Sequence, residues 1–316
     1  MSCLVGLDLG GTLLKGVATE PGGAVLARAS VPTPRAGAES VLAEMAALAR
    51  RLAVGRPLAA LGVAVPGVVD VPGGRTLFLP NVPGPWEGRA VAAELGRALG
   101  APCALLNDVR AATLAELRAG AGRGCRDFVL LAVGTGIGGG IVLGGRLHLG
   151  AGGHAGEVGH QTLDLHGPRC GCGNRGCAEA LASGPALVAE AARAVLQGWE
   201  TALRAACGGD ISALTPRLIG EVAAAGDAVA REILERTASR LGTLAANLVV
   251  VLNPERVVIG GGLAQAGAPL LEGIRRALQE RAGWYLRHAP AEVVAAELGE
   301  EAGALGAAAW GGERAG

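Results

Sequence analysis

The sequence predicts an α/β protein made of two similar halves with a cleft between them. Short apolar runs alternate with longer segments of helical spacing. A glycine-turned hairpin near the N-terminus, "LVGLDLGGTLLKGVA", is imitated in pattern about 120 residues later by "FVLLAVGTGIGGGIVLGG". The length of 316 residues suits about two domains.

Each element follows from a local signal. The first run reads as strand, Gly-Gly turn and strand. "SVLAEMAALARRLA" places Val41, Met45, Leu48 and Leu52 on one helical face. "ALGVAVPG" is a buried strand stopped at Pro66-Gly67, and "VVDVPGGRTLFLP" a second hairpin turning at Pro72-Gly73-Gly74. "PNVPGPW" is an irregular loop. Val91, Leu95 and Leu99 mark another helix. "CALL" is a strand ending at Asn107-Asp108, and "VRAATLAELRAG" is the helix after it. After the second glycine-turned hairpin come Ala-rich helices, including "AVAREILERTASRLGTLAANLVVVL". The strand "RVVIGGG", a helix over 269–280 and the terminal helix "EEAGALGAAAWGG" complete the chain. The Gly- and Arg-dense stretch 118–127 marks the boundary. It divides an N-terminal lobe, 1–118 joined by 302–316, from a C-terminal lobe, 119–301.

Composition narrows the function. Half the residues are apolar and 2% aromatic, so the core is Ala, Val and Leu. Lys+Arg and Asp+Glu are both 28, which gives no basic surface for nucleic acid or membrane. The N-terminus has no basic segment or cleavage site of a signal peptide, and no charge-free run reaches the ~20 residues of a membrane span. Seven cysteines, four of them scattered, fit a reducing cytoplasm.

Three groups of residues carry chemistry. "DLGGT" and "GTGIGGG" are turns whose glycines permit positive φ and close approach, so their N–H groups can nest a phosphate oxygen. Thr12 and Thr135 add hydroxyl donors, and Asp8 ends a strand where it can hold Mg2+ through water. Neither turn is a P-loop or a Rossmann fingerprint. His160, Cys170, Cys172 and Cys177 have the spacing H-x9-C-x-C-x4-C, with Gly171, Gly173 and Gly176 to curl the chain. One imidazole and three thiolates make a closed tetrahedral Zn2+ set, structural because no position is left open. Arg169 and Arg175 can offset its net negative charge. Buried free thiols beside a stray histidine are the rival explanation. Among the carboxylates, Asp108 ends a strand where ligands meet open α/β sheets, though an Asp there can equally cap the following helix. Glu157 and Glu179 flank the metal loop, which would fix both for hydroxyl recognition.

Taken together, these residues resemble the ROK family (repressors, open reading frames, sugar kinases), and its bacterial glucokinases most. "DLGGT" and "VGTGIGGG" resemble the family's phosphate motifs, and "LLNDVRAATLAE" its catalytic Asn-Asp segment. "GAGGHAGEVGH" resembles its sugar-binding stretch and "CGCGNRGCAE" its zinc signature. The resemblance implies an actin-like (ribonuclease H-like) two-lobed sugar kinase fold with a duplicated β-sheet/helix core. It implies phosphoryl transfer from ATP to the 6-OH of a hexose, glucose first, as a step of carbohydrate breakdown. N-acetylmannosamine, N-acetylglucosamine and fructose are alternative acceptors. By similarity Asp108 is the base, and Gly67, Asn107, Asp108, Glu157, His160 and Glu179 touch the sugar. Gly10, Gly11, Thr12, Thr135 and Gly136 touch the phosphates, and Gly261 lies near the nucleoside. The implied cofactors are ATP, Mg2+ and structural Zn2+, and the implied assembly is a homodimer or homotetramer. A sugar-sensing regulator of the same family would need a DNA-binding module ahead of "DLGGT", which here starts at residue 8. A glycosidase using two carboxylates would not need paired phosphate turns. The chain departs from the pattern at "NDVR", where the family reads "NDAN", at "AE" for "GE", and at Leu13. Arg110 and Lys15 are therefore the residues without an assigned role.

Overall fold

The computed structural model describes residues 2–315 and divides them into two units. The first comprises 2–124, Leu147–Ala155 and 297–315, and the second Cys125–Arg146 and Gly156–Ala296. The duplicated α/β core expected from the repeated hairpin is present. The strands and helices of the first unit are β1 (Cys3–Leu9), β2 (Leu13–Thr19), β3 (Val25–Pro32), α1 (Ala38–Leu52), β4 (Leu58–Val65), β5 (Val68–Asp70), β6 (Arg75–Phe78), α2 (Val91–Leu99), β7 (Cys103–Asn107) and α3 (Asp108–Ala119). Its sheet runs β3-β2-β1-β4-β7. The second unit follows with β8 (Phe128–Val133), β9 (Ile137–Leu143), β10 (Arg146–Leu147, whose second residue is the first of the segment returning to the first unit), α4 (Ala178–Ala182), α5 (Gly184–Leu196), α6 (Leu203–Ala206), α7 (Pro216–Ala224), α8 (Ala228–Leu252), β11 (Arg256–Gly260), α9 (Ala268–Leu286) and β12 (Glu292–Ala295). Its sheet runs β10-β9-β8-β11-β12, the same order of an antiparallel hairpin followed by parallel strands. The chain closes with α10 (Ala302–Ala315), which belongs to the first unit.

Both sheets bury aliphatic cores. In the first unit Val5, Leu7, Leu61, Val63 and Leu105 meet Val41, Met45 and Leu48 of α1. In the second, Val129, Leu131, Val257 and Ile259 pack with Leu241, Leu244 and Ile274 of the long helices. With so few aromatics, density comes from close backbone approach. A Cβ at Gly62 of β4 would lie 1.6 Å from the Ala307 carbonyl oxygen, and one at Gly306 1.7 Å from that of Ala111. The Gly/Ala composition of α10 is what lets it lie directly on β4 and α3.

Three outcomes differ from the sequence reading. The helix expected over 269–280 continues to Leu286, because Gly283 inside it is tolerated and nothing breaks the turn. β3 and β12 lack a strong apolar run, being sheet-edge strands with half-exposed faces. Residues 147–155 return to the first unit between two segments of the second. Among the described residues no helix is long and apolar enough to cross a membrane.

Candidate functional site

The predicted residues fall into one group on each unit. On the first unit, β7 delivers Asn107 and Asp108 to the C-terminal end of the parallel strands. Asn107, not Asp108, caps α3, its Oδ1 accepting from Val109 N at 3.0 Å and Arg110 N at 3.2 Å. Its Nδ2 donates to the Gly67 carbonyl at 3.0 Å, so two predicted sugar residues are joined. Gly67 has φ +83°, and a Cβ there would meet the Phe78 carbonyl at 2.2 Å, so no other residue fits. Asp108 is half-buried at the first helical position, its Oδ1 accepting from Val109 N at 2.8 Å.

The "DLGGT" turn lies beside this group in the same sheet. Gly10 N donates to Leu13 O at 2.9 Å, and the Thr33 hydroxyl donates to Gly10 O at 2.7 Å. Gly10 and Gly11 do not have positive φ. At Gly11 the need is space, since a Cβ would stand 2.9 Å from the Asn81 carbonyl oxygen. Thr12 is exposed. Asp8 lies under α10, where Gly303 has no Cβ to collide with its carboxylate. Its carboxyl is pushed up to about 7, first by burial and then by the neighbouring Asp108 charge, against a smaller opposing pull from Lys15. Lys15 is Asp8's cross-strand partner, and its Nζ pairs with Glu300 at 2.7 Å. Two carboxyls with one committed lysine are short of positive charge. That donor set fits a divalent cation held by oxygen.

The Asp8 shift has a testable sign. A carboxyl raised from 3.8 to about 7 is protonated more readily in the folded state than in the unfolded one. Folded stability therefore falls as pH rises through that window, and the penalty is complete above it. Asp8→Asn should raise the melting temperature of the ligand-free protein at pH 8 and flatten its dependence between pH 5.5 and 8. A variant that melts lower than the parent at pH 8 would contradict this origin of the shift.

On the second unit, the turn after β8 is tied by Gly134 N to Gly136 O at 2.8 Å and by Gly184 N to Gly134 O at 2.9 Å. Thr135 is exposed. A Cβ on Gly136 would strike the Glu179 carboxylate at 2.4 Å, and Ile137 N donates to that carboxylate at 3.0 Å. Glu179 thus links the glycine turn to the cysteine loop. Gly261, exposed at φ +87°, follows β11 and lies against the Val133 backbone.

The cysteine loop assembles as the spacing predicts. One ligand atom from each of His160, Cys170, Cys172 and Cys177 lies within 4.8 Å of every other. The Cys170 Sγ to His160 Nδ1 and Cys172 Sγ to Cys177 Sγ distances are both 3.7 Å. A tetrahedron of ligands at about 2.0–2.3 Å from Zn2+ has edges of about 3.5–3.8 Å, so the residues fit. Backbone bonds shape the loop, from Leu163 N to Gly176 O, Cys170 N to Asn174 O and Gly176 N to Pro168 O, each 2.8 Å. A Cβ at Gly176 would lie 1.5 Å from Asp164 O. Burial pushes the Cys177 thiol up to about 12, with the crowding of Cys172 and Cys170 adding to it. The backbone N–H of Asn174 draws Cys172 down. Three gathered sulfurs become thiolates together only with a cation among them. Arg169 and Arg175 are exposed and paired across the loop as a bridge. Glu157 is exposed just ahead of the short 3-10 turn Val158–His160. Glu179 opens α4, next to Cys177, and Cys170 Sγ lies 3.7 Å from its Oε1.

Two buried charges had no role assigned from the sequence. Glu116 is 1% exposed and accepts from the backbone N–H groups of Ala121, Glu297 and Leu298. Arg110 is 2% exposed and donates from Nε to Ala155 O at 2.9 Å. The "NDVR" departure flagged Arg110, whereas for Glu116 the helical pattern offers no signal.

The chain is similar to known proteins over nearly its whole length. A model of the ROK family matches residues 4–314. A glucokinase of Thermotoga maritima is 34% identical over 311 residues, covering 96% of each chain. The crystal structure of a ROK family glucokinase from Streptomyces griseus in complex with glucose and AMPPNP is similar at TM-score 0.83 and 32% identity, over 99% of this chain and 100% of that one. A ROK hexokinase from Thermus thermophilus is similar at TM-score 0.81 and 38% identity, over 99% and 98%.

Proposed function

The chain belongs to the ROK family, and on that premise we propose that it is an ATP-dependent hexose kinase converting glucose to glucose 6-phosphate. The observation that carries this reading is the head of α3. There Asn107 takes the capping role, and the adjacent Asp108 carboxylate, which accepts from Val109 N, stands at the first helical position.

In phosphoryl transfer the protein mainly positions reactants and offsets charge. Asp108 accepts the proton of the sugar 6-hydroxyl as that oxygen bonds to the terminal phosphorus of ATP, and the bond from that phosphorus to the bridging oxygen breaks, releasing ADP. Gly67, Asn107, Glu157, His160 and Glu179 hold the remaining hydroxyls. The N–H groups around Gly10, Gly11 and Gly136, with the Thr12 and Thr135 hydroxyls, receive phosphate oxygens, and Gly261 flanks the nucleoside. Asp8 would hold Mg2+, which would supply charge neutralisation to the phosphates. His160, Cys170, Cys172 and Cys177 hold structural zinc, which supplies rigidity to the loop bearing Glu157 and Glu179. None of the seven cysteines is in a disulfide, which supports a cytoplasmic enzyme. The working assembly is a homodimer or homotetramer that feeds carbohydrate breakdown.

A coupled ADP assay with glucose, N-acetylmannosamine, N-acetylglucosamine and fructose tests the reading. Glucose should give the highest kcat/KM. ADP release that is independent of added sugar would contradict kinase function, and a higher value with another acceptor would reassign the substrate.

A further inference from the structure

Arg110 is among the largest side chains fully buried in this protein. Burying a guanidinium carries a large desolvation penalty, so its position reflects a specific demand. Its backbone N–H is fixed by Asn107 Oδ1 at 3.2 Å, in the same turn that presents Asp108. Its Nε reaches 45 residues along the chain to the Ala155 carbonyl at 2.9 Å. Ala155 closes the stretch Leu147–Ala155, which packs with the first unit and leads directly into Gly156 and Glu157. Leu147 and Leu149 at its start pack against the cluster of Leu106, Leu114 and Trp310, and the remainder up to Ala155 is glycine-rich. It includes three glycines, at 150, 152 and 153, and the Ala155 N–H donates back within it to Leu149 O at 3.0 Å.

We propose that Arg110 is a positioning residue that anchors the segment entering Glu157 to the first turn of α3, and through that anchor sets hexose affinity without touching the sugar. The inference rests on the reading of Glu157 as a sugar ligand. An anchored loop presents its carboxylate already ordered, so glucose binding does not have to order it. Loss of the anchor weakens hexose binding while leaving the proton acceptor and the phosphate turns as they are. The effect therefore falls on the glucose KM and on discrimination between hexoses, and not on the ATP KM.

The test uses the full chain with Arg110→Asn, Arg110→Gln and Arg110→Lys, read by steady-state kinetics and by amide hydrogen exchange. Arg110→Asn should raise the glucose KM about tenfold or more, with kcat within about threefold and the ATP KM unchanged. Exchange should quicken at residues 149–157 and stay as it was in α8. Arg110→Gln keeps a side-chain N–H donor and should recover part of the glucose KM. If Arg110→Asn does not fold, Arg110→Lys keeps the cation, loses the Nε donor, and should show the same split at smaller size. A folded variant with unchanged glucose KM and unchanged exchange at 149–157 would overturn the proposal. So would a joint rise in glucose KM, ATP KM and α8 exchange, which is general loosening. If the parent protein releases no ADP with any hexose, the kinase reading fails, and exchange at 149–157 still decides whether Arg110 is the anchor.

Discussion

Asp108→Asn should lower kcat about 100-fold or more, the range for a positioned general base, while glucose binding stays close to that of the parent. The substitution is nearly isosteric, and the cap of α3 belongs to Asn107, so the helix start is kept. The backbone bond that Asp108 accepts from Val109 N at 2.8 Å can equally be accepted by an amide oxygen. What disappears is the ability to take a proton. The Asp108 charge also helps hold the Asp8 carboxyl up, so its removal should bring Asp8 back toward its ordinary range. Kinetics supply kcat and calorimetry supplies glucose affinity. A variant with near-parental turnover would remove Asp108 from the role of base. One that loses turnover and glucose binding equally would make it a binding residue only.

Cys172→Ser should strip or greatly weaken bound zinc and raise the glucose KM about tenfold, with a smaller effect on kcat. Cys172 is chosen because it is exposed, unlike buried Cys170 and Cys177, so serine there disturbs the ligand set and little packing. The loop keeps its backbone bonds, such as Leu163 N to Gly176 O. The expected damage is therefore local, a loss of order around Glu157, His160 and Glu179. Metal content by atomic absorption and the glucose KM should change together, and a strong chelator should reproduce both. Unchanged metal content with unchanged KM would mean that the four residues are a thiol cluster without a metal function.

Some of this was legible in the sequence and some was not, for physical reasons. The helix over Ala228–Leu252 is readable to its ends because Asp227 caps its start and Asn253 adopts the left-handed conformation at its end. The two hairpins were legible because glycine interrupts apolar strands where the chain must turn. The reason for particular glycines was not legible. Gly11 and Gly136 serve close approach to Asn81 and Glu179, and only Gly261 of the expected nucleotide glycines has positive φ. The metal set was readable because four strong ligands at short spacing constrain one another locally. Arg110 and Glu116 are the opposite case. Their partners lie 45 and 181 residues away, and no local pattern announces that a helix buries a charge for a distant backbone. The return of 147–155 to the first unit is likewise a tertiary choice with no composition break to mark it.

The most direct test of the central claim is product analysis by phosphorus and proton NMR after incubating the purified protein with Mg2+-ATP and glucose. The account predicts stoichiometric ADP and a phosphomonoester on the 6-oxygen. A phosphate on the anomeric oxygen, or ADP and free phosphate with unaltered glucose, would contradict it.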